Sequence, residues 1–512
     1  MHGSILAKVE TSSLPSGKLF SASLIYTVGD FLTTAISGFL LIPVYLHYMT
    51  PADYGIYSTV TVLINMLGVL LAMGLGSALG RFYFLYRDRG EEYRYLGSIW
   101  LFQILVSLAL VVALALWGSP LWAAICPEIP FRPYIWFVLA GSFLTFSASV
   151  YPLWLRVLER PVAFVILQVA GTAAFALSLG VFLILLRQEA QGALGAAIFS
   201  NALIALVGLV ALGRKATWRI QYNLLRPSLD FGRWMVIGTF GYFFLNKSQL
   251  FFLQHYGDMA SVGVYNLGLQ LGGILTLLAL SFAKAWQPFV YSAKTSGEAA
   301  DAISSTSKYF VAVMLYGMLG IAVLSNEILR VVAKPDYFKA GIVIRLVAIA
   351  SFVYVLSNLT NTGLFYMKRP ELAQAAMLLS AGLNVVLNMI LIPRWQMVGA
   401  ALAMLAAFSV MVISGFFLVQ KVMHVKYDWA MLVKITGIGT GLLVTEWLLI
   451  PQRIGFLESG IRVALLAAFP LLLWLGRVFS KSEIKAILSQ ISTTLSYIRR
   501  ALKRKTTVSR PV

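Results

Sequence analysis

The chain has 512 residues, of which 59% are hydrophobic and 12% charged, and its mean hydropathy is +0.83. This composition excludes a water-soluble fold, because such a fold needs a polar surface. The net charge of +20 would suggest nucleic-acid binding in a soluble protein, but in a membrane protein basic residues first indicate topology. The single cysteine, Cys126, excludes an intrachain disulfide framework and a thiolate metal site.

Apolar runs along the chain predict its helices. A polar segment, 1-18, precedes a run that is too long for a signal-peptide core, so we expect that run to be a retained helix. A membrane-spanning helix needs roughly 20 apolar residues, and runs of about this length form two groups of six and a final pair. The first group, 19-213, contains the runs 19-46, 55-80, 96-118, 133-155, 161-187 and 192-213.

A basic connector, 214-228, separates the first group from the second. We predict an all-α polytopic membrane protein with about 14 transmembrane helices, arranged as two six-helix lobes plus a C-terminal helix pair. The longest outside connection, between the third and fourth helices, is predicted to have about fifteen residues. The second group, 229-420, contains the runs 229-256, 261-285, 307-330, 340-366, 370-393 and 397-420, and the pair, 430-478, contains 430-450 and 460-478.

Lysine and arginine residues predict the orientation, because short basic loops stay on the cytoplasmic side. Most of the 40 lie in segments that are cytoplasmic if the N-terminus is inside, so both termini are predicted to be cytoplasmic. The segment 480-512 has isoleucine and leucine at helical spacing and a basic cluster, which predicts an amphipathic helix on the inner surface, in contact with membrane lipids. The outside loops hold Arg132, Arg187, Arg330, Lys334, Lys339, Arg394, Arg453 and Arg462.

A short motif occurs twice in the chain, at an offset of 208 residues. It surrounds the turn between the first and second predicted helices and the turn between the seventh and eighth. Because six helices separate the copies, the two lobes would share one orientation in the membrane, and we predict an internal duplication. The matched positions are His47, Tyr48, Ala52, Gly55 and Tyr57 in the first copy and His255, Tyr256, Ala260, Gly263 and Tyr265 in the second.

The first copy resembles a known family. The stretch 42-57, Ile-Pro-Val-Tyr-Leu-His-Tyr-Met-Thr-Pro-Ala-Asp-Tyr-Gly-Ile-Tyr, is similar to the first inter-helix turn of the polysaccharide transporter family, the Wzx-like flippases of lipid-linked oligosaccharides. These proteins belong to the multidrug/oligosaccharidyl-lipid/polysaccharide exporter superfamily. The resemblance implies a MATE-like, V-shaped bundle in a bacterial inner membrane, with a central cavity that opens alternately to each side.

The resemblance also implies an activity. An undecaprenyl-diphosphate-linked oligosaccharide, the repeat unit of an O-antigen, a capsule or an exopolysaccharide, would pass from the inner to the outer leaflet without covalent chemistry, so the protein would not be an enzyme. A peptidoglycan precursor is an alternative cargo. The implied partners are the polyprenyl-diphosphate-linked glycan, together with a glycan polymerase and chain-length proteins, and nucleic acid is not among them.

Ionisable side chains at membrane depth usually face a wet cavity or a partner, so they are the candidate site residues. Lys247, midway along the seventh predicted helix, is predicted to be a cavity cation that holds a diphosphate or an acidic sugar, with Arg345 as a second. A lysine that snorkels or pairs with a carboxylate, and an ordinary outside-loop arginine, are the alternatives. Asp30 in the first helix is predicted to bind H+ or Na+ as a coupling ion, or to pair with a cation such as Lys247.

Further candidates surround these groups. Arg81, Arg233 and Lys284 lie at cytoplasmic helix ends and are predicted to form a funnel for an anionic head group, although positive-inside anchoring explains them equally well. Uncharged polar side chains at helix depth would suit a sugar path, but such groups also join helices. The predicted polar cavity contains Asn246, Gln249, Asn266, Gln270 and Asn65.

Two other classes of protein are the alternatives. A multidrug or metabolite cation antiporter of the same superfamily would be expected to use carboxylates, whereas Lys247 and Arg345 against Asp30 favour an anionic load. A membrane glycan polymerase or ligase would be expected to have a sizeable outside loop. The sequence has no Gly-x-x-x-x-Gly-Lys-Ser/Thr loop and no His-Glu-x-x-His motif, so it indicates neither an ATP-driven pump nor a metalloprotease, and no metal or other cofactor is predicted.

Overall fold

The computed structural model describes residues 25–26, 29–30, 32–34, 36–213, 215–450 and 455–479. Throughout these residues the secondary structure is helical, with no strand. The predicted N-terminal segment 1-18 and the amphipathic tail 480-512 lie outside them. The helices are α1 (Ile42–Tyr48), α2 (Pro51–Ala72), α3 (Leu75–Arg87), α4 (Glu92–Ile125), α5 (Phe131–Val157), α6 (Pro161–Leu179), α7 (Glu189–Gly213), α8 (Tyr222–Tyr256), α9 (Met259–Gly272), α10 (Ile274–Tyr291), α11 (Ser296–Val323), α12 (Ser325–Val332), α13 (Ala340–Tyr366), α14 (Pro370–Val422), α15 (Trp429–Leu449) and α16 (Phe456–Leu475).

The protein is a multi-pass membrane protein. Eleven helical stretches within the described ranges are long and apolar enough to cross a membrane. Large apolar side chains such as Leu177, Leu185 and Leu449 point outward and are largely exposed, which suits contact with lipid. The 53-residue α14 reverses its backbone at Gln396 (φ 47°), so it contains two of the predicted runs. The total of about 14 transmembrane helices stays a prediction.

Several helix boundaries differ from those that hydropathy predicted. The predicted run 55-80 is divided between α2 and α3, because Met73 and Gly74 both adopt left-handed backbone angles (φ 46° and 69°). The helix predicted at 307-330 begins earlier, at Ser296, since the Thr295 side chain accepts a hydrogen bond from the Glu298 backbone and caps α11. The connection between α4 and α5 is only 126–130, not about fifteen residues, because α4 extends to Ile125.

The most extensive helix packing places α13 in the centre of the second half of the chain. It packs against α9, α10, α11 and α14, and α14 in turn packs against α8. In the first half, α5 packs against α2 and α7. The last two helices, α15 and α16, pack against each other and against α11. The division into lobes 19-213 and 229-420 stays a prediction, and the predicted connector 214-228 is helical from Tyr222 onward.

The two copies of the repeated motif lie against each other. Gly55 of α2 faces Gly263 of α9 so closely that a Cβ atom on Gly263 would lie 1.9 Å from the Pro51 carbonyl oxygen. Asn266 donates a hydrogen bond to Ser58 Oγ (2.8 Å), and these two residues are themselves 208 positions apart. The contact therefore relates equivalent positions of the two copies across a local pseudo-two-fold axis.

The starts of α2 and α9 are also built alike. Thr50 caps α2 by accepting a hydrogen bond from the Asp53 backbone N–H (3.2 Å), and Asp258 caps α9 by accepting one from the Ser261 N–H (2.7 Å). The hydroxyl and carboxylate residues have exchanged places between the copies, yet each end keeps a side-chain cap. The duplication itself stays a prediction, which this shared local structure supports.

The two halves also meet at the opposite end of the bundle. A Cβ atom on Gly232 of α8 would lie 2.1 Å from the Met73 carbonyl oxygen, so α8 contacts the break between α2 and α3 through backbone atoms. Tyr95 of α4 and Ser228 of α8 share a hydrogen bond of 2.6 Å near this contact. Helices of the first and second halves are thus in contact near both ends of α2.

Candidate functional site

Lys247 lies in the second half of α8, and its side chain is partly buried against apolar residues of two helices. The surrounding side chains include Val62 and Met66 of α2 and Phe243 and Phe251 of α8, and the recess that they form with Lys247 is about 10 Å³. Within the described parts of the chain, no hydrogen bond or ion pair involves the Lys247 ammonium group. A cation at this depth without a counter-ion is energetically costly, which makes it a candidate functional group.

A much larger apolar cavity adjoins this recess. It has a volume of about 680 Å³ and is lined by residues of α2, α4, α5 and α8, among them Leu63, Leu114 and Phe252. The recess and the cavity share four lining residues: Met66, Phe244, Ser248 and Phe251. The cation therefore lies at the edge of a space that hydrocarbon could fill.

Amide side chains fix the backbone of α8 around Lys247. Asn384 of α14 donates a hydrogen bond to the Leu245 carbonyl oxygen (2.9 Å), and Asn388 donates one to Ser248 Oγ (3.2 Å). Both asparagines are fully buried. Buried amides that are hydrogen-bonded across helices hold those helices in register, so α14 positions the segment that carries Lys247. The sequence alone did not single out Asn384, because an asparagine in an apolar run gives no indication of its partner.

The predicted polar cavity residues are not gathered around Lys247. Asn246 donates a hydrogen bond to the Tyr242 carbonyl of its own helix (3.0 Å), and Asn65 is exposed on α2 and donates one to Thr61 (2.9 Å). Asn266 belongs to the contact between α2 and α9, and Gln270 is partly exposed one turn further along α9. Only Gln249 is both adjacent in α8 and fully buried, and its Oε1 has no partner among the described residues.

Arg345 lies elsewhere, in a buried cluster of charges between α12, α13, α15 and α16. Its Nη2 contacts Glu446 Oε1 at 3.3 Å, and its Nε donates a hydrogen bond to Ser325 (2.9 Å). Arg462 completes the cluster, with Nε 3.1 Å from the same Glu446 oxygen and Nη1 2.6 Å from Glu327. Arg345 is therefore neutralised by a carboxylate and is not brought together with Lys247.

This charge cluster includes residues that the sequence analysis missed. Arg462 was assigned to an outside loop, but it is fully buried within α16, since Glu446 and Glu327 compensate its charge. Glu446, only 1% exposed, lies inside the apolar run that predicted α15. A carboxylate in one predicted span and an arginine in the next were the available signal for an intramembrane pair.

Asp30 pairs with a cation of the first half of the chain. Its Oδ1 lies 3.0 Å from Nη2 of Arg156, in the last turn of α5, and its side chain is 34% exposed. Lys247 is not its partner. An exposed ion pair of this kind contributes little energy, and a coupling ion on Asp30 would have to compete with Arg156.

The three funnel candidates divide into two places. Arg81 of α3 lies over the Phe231 ring of α8 (5.0 Å) and belongs to the contact between α3 and α8, and Arg233 is exposed two residues further along α8. Lys284 is exposed on α10, which packs mainly against α11 and α13.

For metal binding, no group of three or more His, Cys, Asp or Glu side chains with suitable geometry is found within the described ranges.

Comparison with solved structures defines the class of fold. A structure described as the lipid II flippase MurJ in an inward closed conformation is similar, with a TM-score of 0.68 and 13% identity, over 89% of this chain and 100% of that one. An inward-facing multidrug resistance MATE family transporter of the MOP superfamily is similar with a TM-score of 0.59 and 15% identity, over 78% of this chain and 97% of that one. The fold is therefore similar to those of MurJ and the MATE transporter.

The family follows from the sequence. A family model described as "Polysaccharide biosynthesis protein" matches residues 21–294, more than half of the chain, and the chain belongs to this family. The predicted family resemblance is thereby confirmed. A Haloferax volcanii protein named as a probable low-salt glycan biosynthesis flippase, Agl15, is 23% identical over 235 residues, which are 44% of this chain. The match spans about half the length of that relative. These relatives are named as flippases and transporters rather than as enzymes, in agreement with the prediction of no enzymatic activity.

Proposed function

We propose that the protein translocates a lipid-linked anionic glycan across the membrane. The observation that carries this proposal is Lys247, a cation within α8 that has no counter-ion among the described residues and borders a large apolar cavity. The family and the names of the relatives support the same class of cargo. The specific cargo that we propose is an undecaprenyl-diphosphate-linked oligosaccharide, the repeat unit of an O-antigen, capsule or exopolysaccharide.

The recess at Lys247 suits the diphosphate head group of such a cargo, and the adjoining apolar cavity suits its polyprenyl chain. A diphosphate is a strong acceptor of charge-assisted hydrogen bonds, and an ammonium group at the edge of the apolar cavity attracts it. Leu63, Leu114 and Phe252 offer the adjoining hydrocarbon chain an apolar lining. The cation would thus hold the head group while the polyprenyl chain stays in an apolar environment.

Movement of the head group requires the two halves to separate. The recess at Lys247, about 10 Å³, holds no more than about one water molecule, so a diphosphate enters only in a more open conformation. The contacts at Gly55 with Gly263 and at Met73 with Gly232 lie near opposite ends of the bundle. We propose that they open in turn, which is alternating access, and that the cargo shifts the populations by binding the open states more tightly.

We place the protein in a bacterial inner membrane with both termini in the cytoplasm, where it carries the glycan from the inner to the outer leaflet. Proton or Na+ coupling through Asp30, and interaction with a glycan polymerase and chain-length proteins, belong to the same proposal. The positive-inside distribution of lysine and arginine supports the orientation.

A translocation assay in proteoliposomes tests the proposal. A fluorescent polyprenyl-diphosphate oligosaccharide is incorporated, and an external glycan-modifying enzyme reports how much of it reaches the outer leaflet. The wild type should increase the rate above that of empty vesicles. Lys247→Met, which keeps the length of the side chain but removes its charge, should lower the rate at least about tenfold, the effect of losing about 1.4 kcal/mol of charge-assisted binding in the transition state.

Two controls separate charge from structure. Lys247→Arg retains a cation and should keep a measurable part of the activity, whereas Arg369→Gln removes a charge from an exposed ion pair with Glu371 and should have no effect. Unfolding temperatures of all variants establish that they are folded. Failure of the wild type to move any polyprenyl-diphosphate glycan, together with export of cationic dyes, would replace the flippase assignment by a cation antiporter.

A further inference from the structure

A second pocket lies next to the buried charge cluster, at the predicted outer face of the membrane. It has a volume of about 360 Å³ and lies between α12, α15 and the start of α13. Polar groups from three places line it: Asn326 of α12, Lys339 at the N-terminus of α13, and Arg345 one turn into α13. The pocket belongs to different helices from those around Lys247 and is separate from the proposed translocation site.

The charges of the pocket favour an anion. Glu446 and Glu327 balance Arg345 and Arg462 within the cluster, which leaves Lys339 as an additional positive charge. Arg345 is 7% exposed, and its Nη1 has no hydrogen bond to any described residue, although Nε and Nη2 are both used. The buried guanidinium therefore offers a donor to the pocket that no described residue accepts.

The first turn of α13 adds to this preference. The N-cap residue of this helix, Lys339, makes no side-chain hydrogen bond to the first turn, and the Gly341 N–H donates to the Phe338 carbonyl oxygen (3.1 Å). The helix dipole places partial positive charge at this end. A donor from Arg345, the ammonium group of Lys339 and a helix N-terminus thus converge on one space, and a phosphate group would satisfy all three.

The rim of the pocket is apolar and faces the lipid. Phe338 and Ile342 are exposed beside Lys339, and Trp447 of α15 is 63% exposed. Below Trp447, towards the membrane interior, Val444 of the same helix is also exposed. A soluble anion would gain nothing from these side chains, whereas the acyl chains of a lipid would cover them.

We propose that this pocket binds the phosphate of an anionic glycerophospholipid, with its acyl chains lying along the exposed face of α15. Such a lipid would join α13 to the C-terminal helix pair at the membrane surface. This site is independent of the proposed translocation activity, because it shares no lining residue with the cavity at Lys247.

Lipid binding to the full-length purified protein tests this assignment. Native mass spectrometry with added phosphatidylglycerol or phosphatidylcholine gives the affinity for each lipid, and the wild type should prefer phosphatidylglycerol. Lys339→Gln should weaken phosphatidylglycerol binding about fivefold, as expected for one basic residue at a membrane surface. Lys334→Gln is the matched control, since Lys334 is an exposed lysine of the same turn that lines a different pocket, and it should change the affinity less than about twofold.

Two further experiments distinguish the phosphate of a lipid from free inorganic phosphate. Inorganic phosphate at millimolar concentration should not displace the lipid. Trp447→Ala should weaken lipid binding, and inorganic phosphate should not bind to this variant in place of the lipid. Equal affinity of the wild type for both lipids, or equal losses in Lys339→Gln and Lys334→Gln, would overturn the site. Displacement by inorganic phosphate would overturn its assignment to a lipid.

Discussion

The two halves of the chain meet through small, uncharged groups between α2 and α9, whereas the C-terminal helix pair is attached through buried ions. Where α2 meets α9, Gly55 lies against Gly263 and the Asn266–Ser58 hydrogen bond joins the helices. Where α15 and α16 meet α12 and α13, two arginines and two glutamates interact with almost no exposure to solvent for three of them. One interface is therefore built from glycines and an uncharged hydrogen bond, and the other from buried ion pairs.

The difference indicates which interface can open. Separation of the glycine contact exposes backbone and one hydrogen bond, and a net hydrogen bond contributes only about 1 kcal/mol. Separation of the charge cluster would leave ions uncompensated at membrane depth, which costs several times as much. We therefore expect α15 and α16 to move with the second half as one body, while the contact between α2 and α9 opens.

Neutralising Glu446 should have the largest effect on stability. Glu446→Gln keeps the shape of the side chain but leaves Arg345 and Arg462 to share only the charge of Glu327. The loss of one partner from a buried ion pair costs about 3–5 kcal/mol. Thermal unfolding of the purified variant in one detergent should show this loss.

An exposed pair supplies the control for that measurement. Glu371 pairs with Arg369 at 3.3 Å, and their side chains are 57% and 60% exposed. Glu371→Gln should cost less than about 1 kcal/mol. If the two glutamine variants unfold at the same temperature, the cluster does not hold the C-terminal pair and the comparison between the interfaces fails.

The sequence predicted the helical architecture but not these partnerships. Apolar runs located the spans because hydrocarbon requires them. The break at Met73 and Gly74 was missed, since methionine gives no signal for a left-handed backbone and a single glycine in an apolar run does not require one. Lys247 was found because a charge in an apolar run is conspicuous. Arg462 was assigned to a loop because counting charges cannot distinguish a loop arginine from one that is neutralised by Glu446 of a neighbouring helix. The pairing depends on tertiary contacts.

A bulky residue in the glycine contact should have an intermediate effect. A Cβ atom at Gly263 would overlap the Pro51 carbonyl, so Gly263→Val forces α2 and α9 apart. Overpacking costs about 1–3 kcal/mol in a fixed interface. If the interface opens in the transport cycle, the variant should instead populate the open state and expose Ser58, which is buried in the contact.

Cysteine labelling distinguishes these two results. Ser58→Cys is introduced together with Cys126→Ser, and labelling by a membrane-impermeant maleimide from the predicted outer side should increase when Gly263→Val is added. Gly320→Val is the matched control, because a Cβ atom at Gly320 would have no neighbour within 4 Å. Reduced stability without increased labelling would mean that the contact between α2 and α9 is as fixed as the charge cluster.

Removing the charge of Lys247 should have the smallest effect on the free energy of unfolding. Unlike the other substitutions, it should not lower this free energy. No described residue compensates this ammonium group, so Lys247→Met deletes a desolvated charge and places apolar atoms against Val62 and Phe251. The variant should be as stable as the wild type or more stable by up to about 1 kcal/mol. Lys284→Met, at an exposed position on α10, should leave the unfolding temperature unchanged. A loss of stability in Lys247→Met like that in Glu446→Gln would mean that Lys247 has a structural partner, and the cation would then belong to the same kind of interface as Arg345.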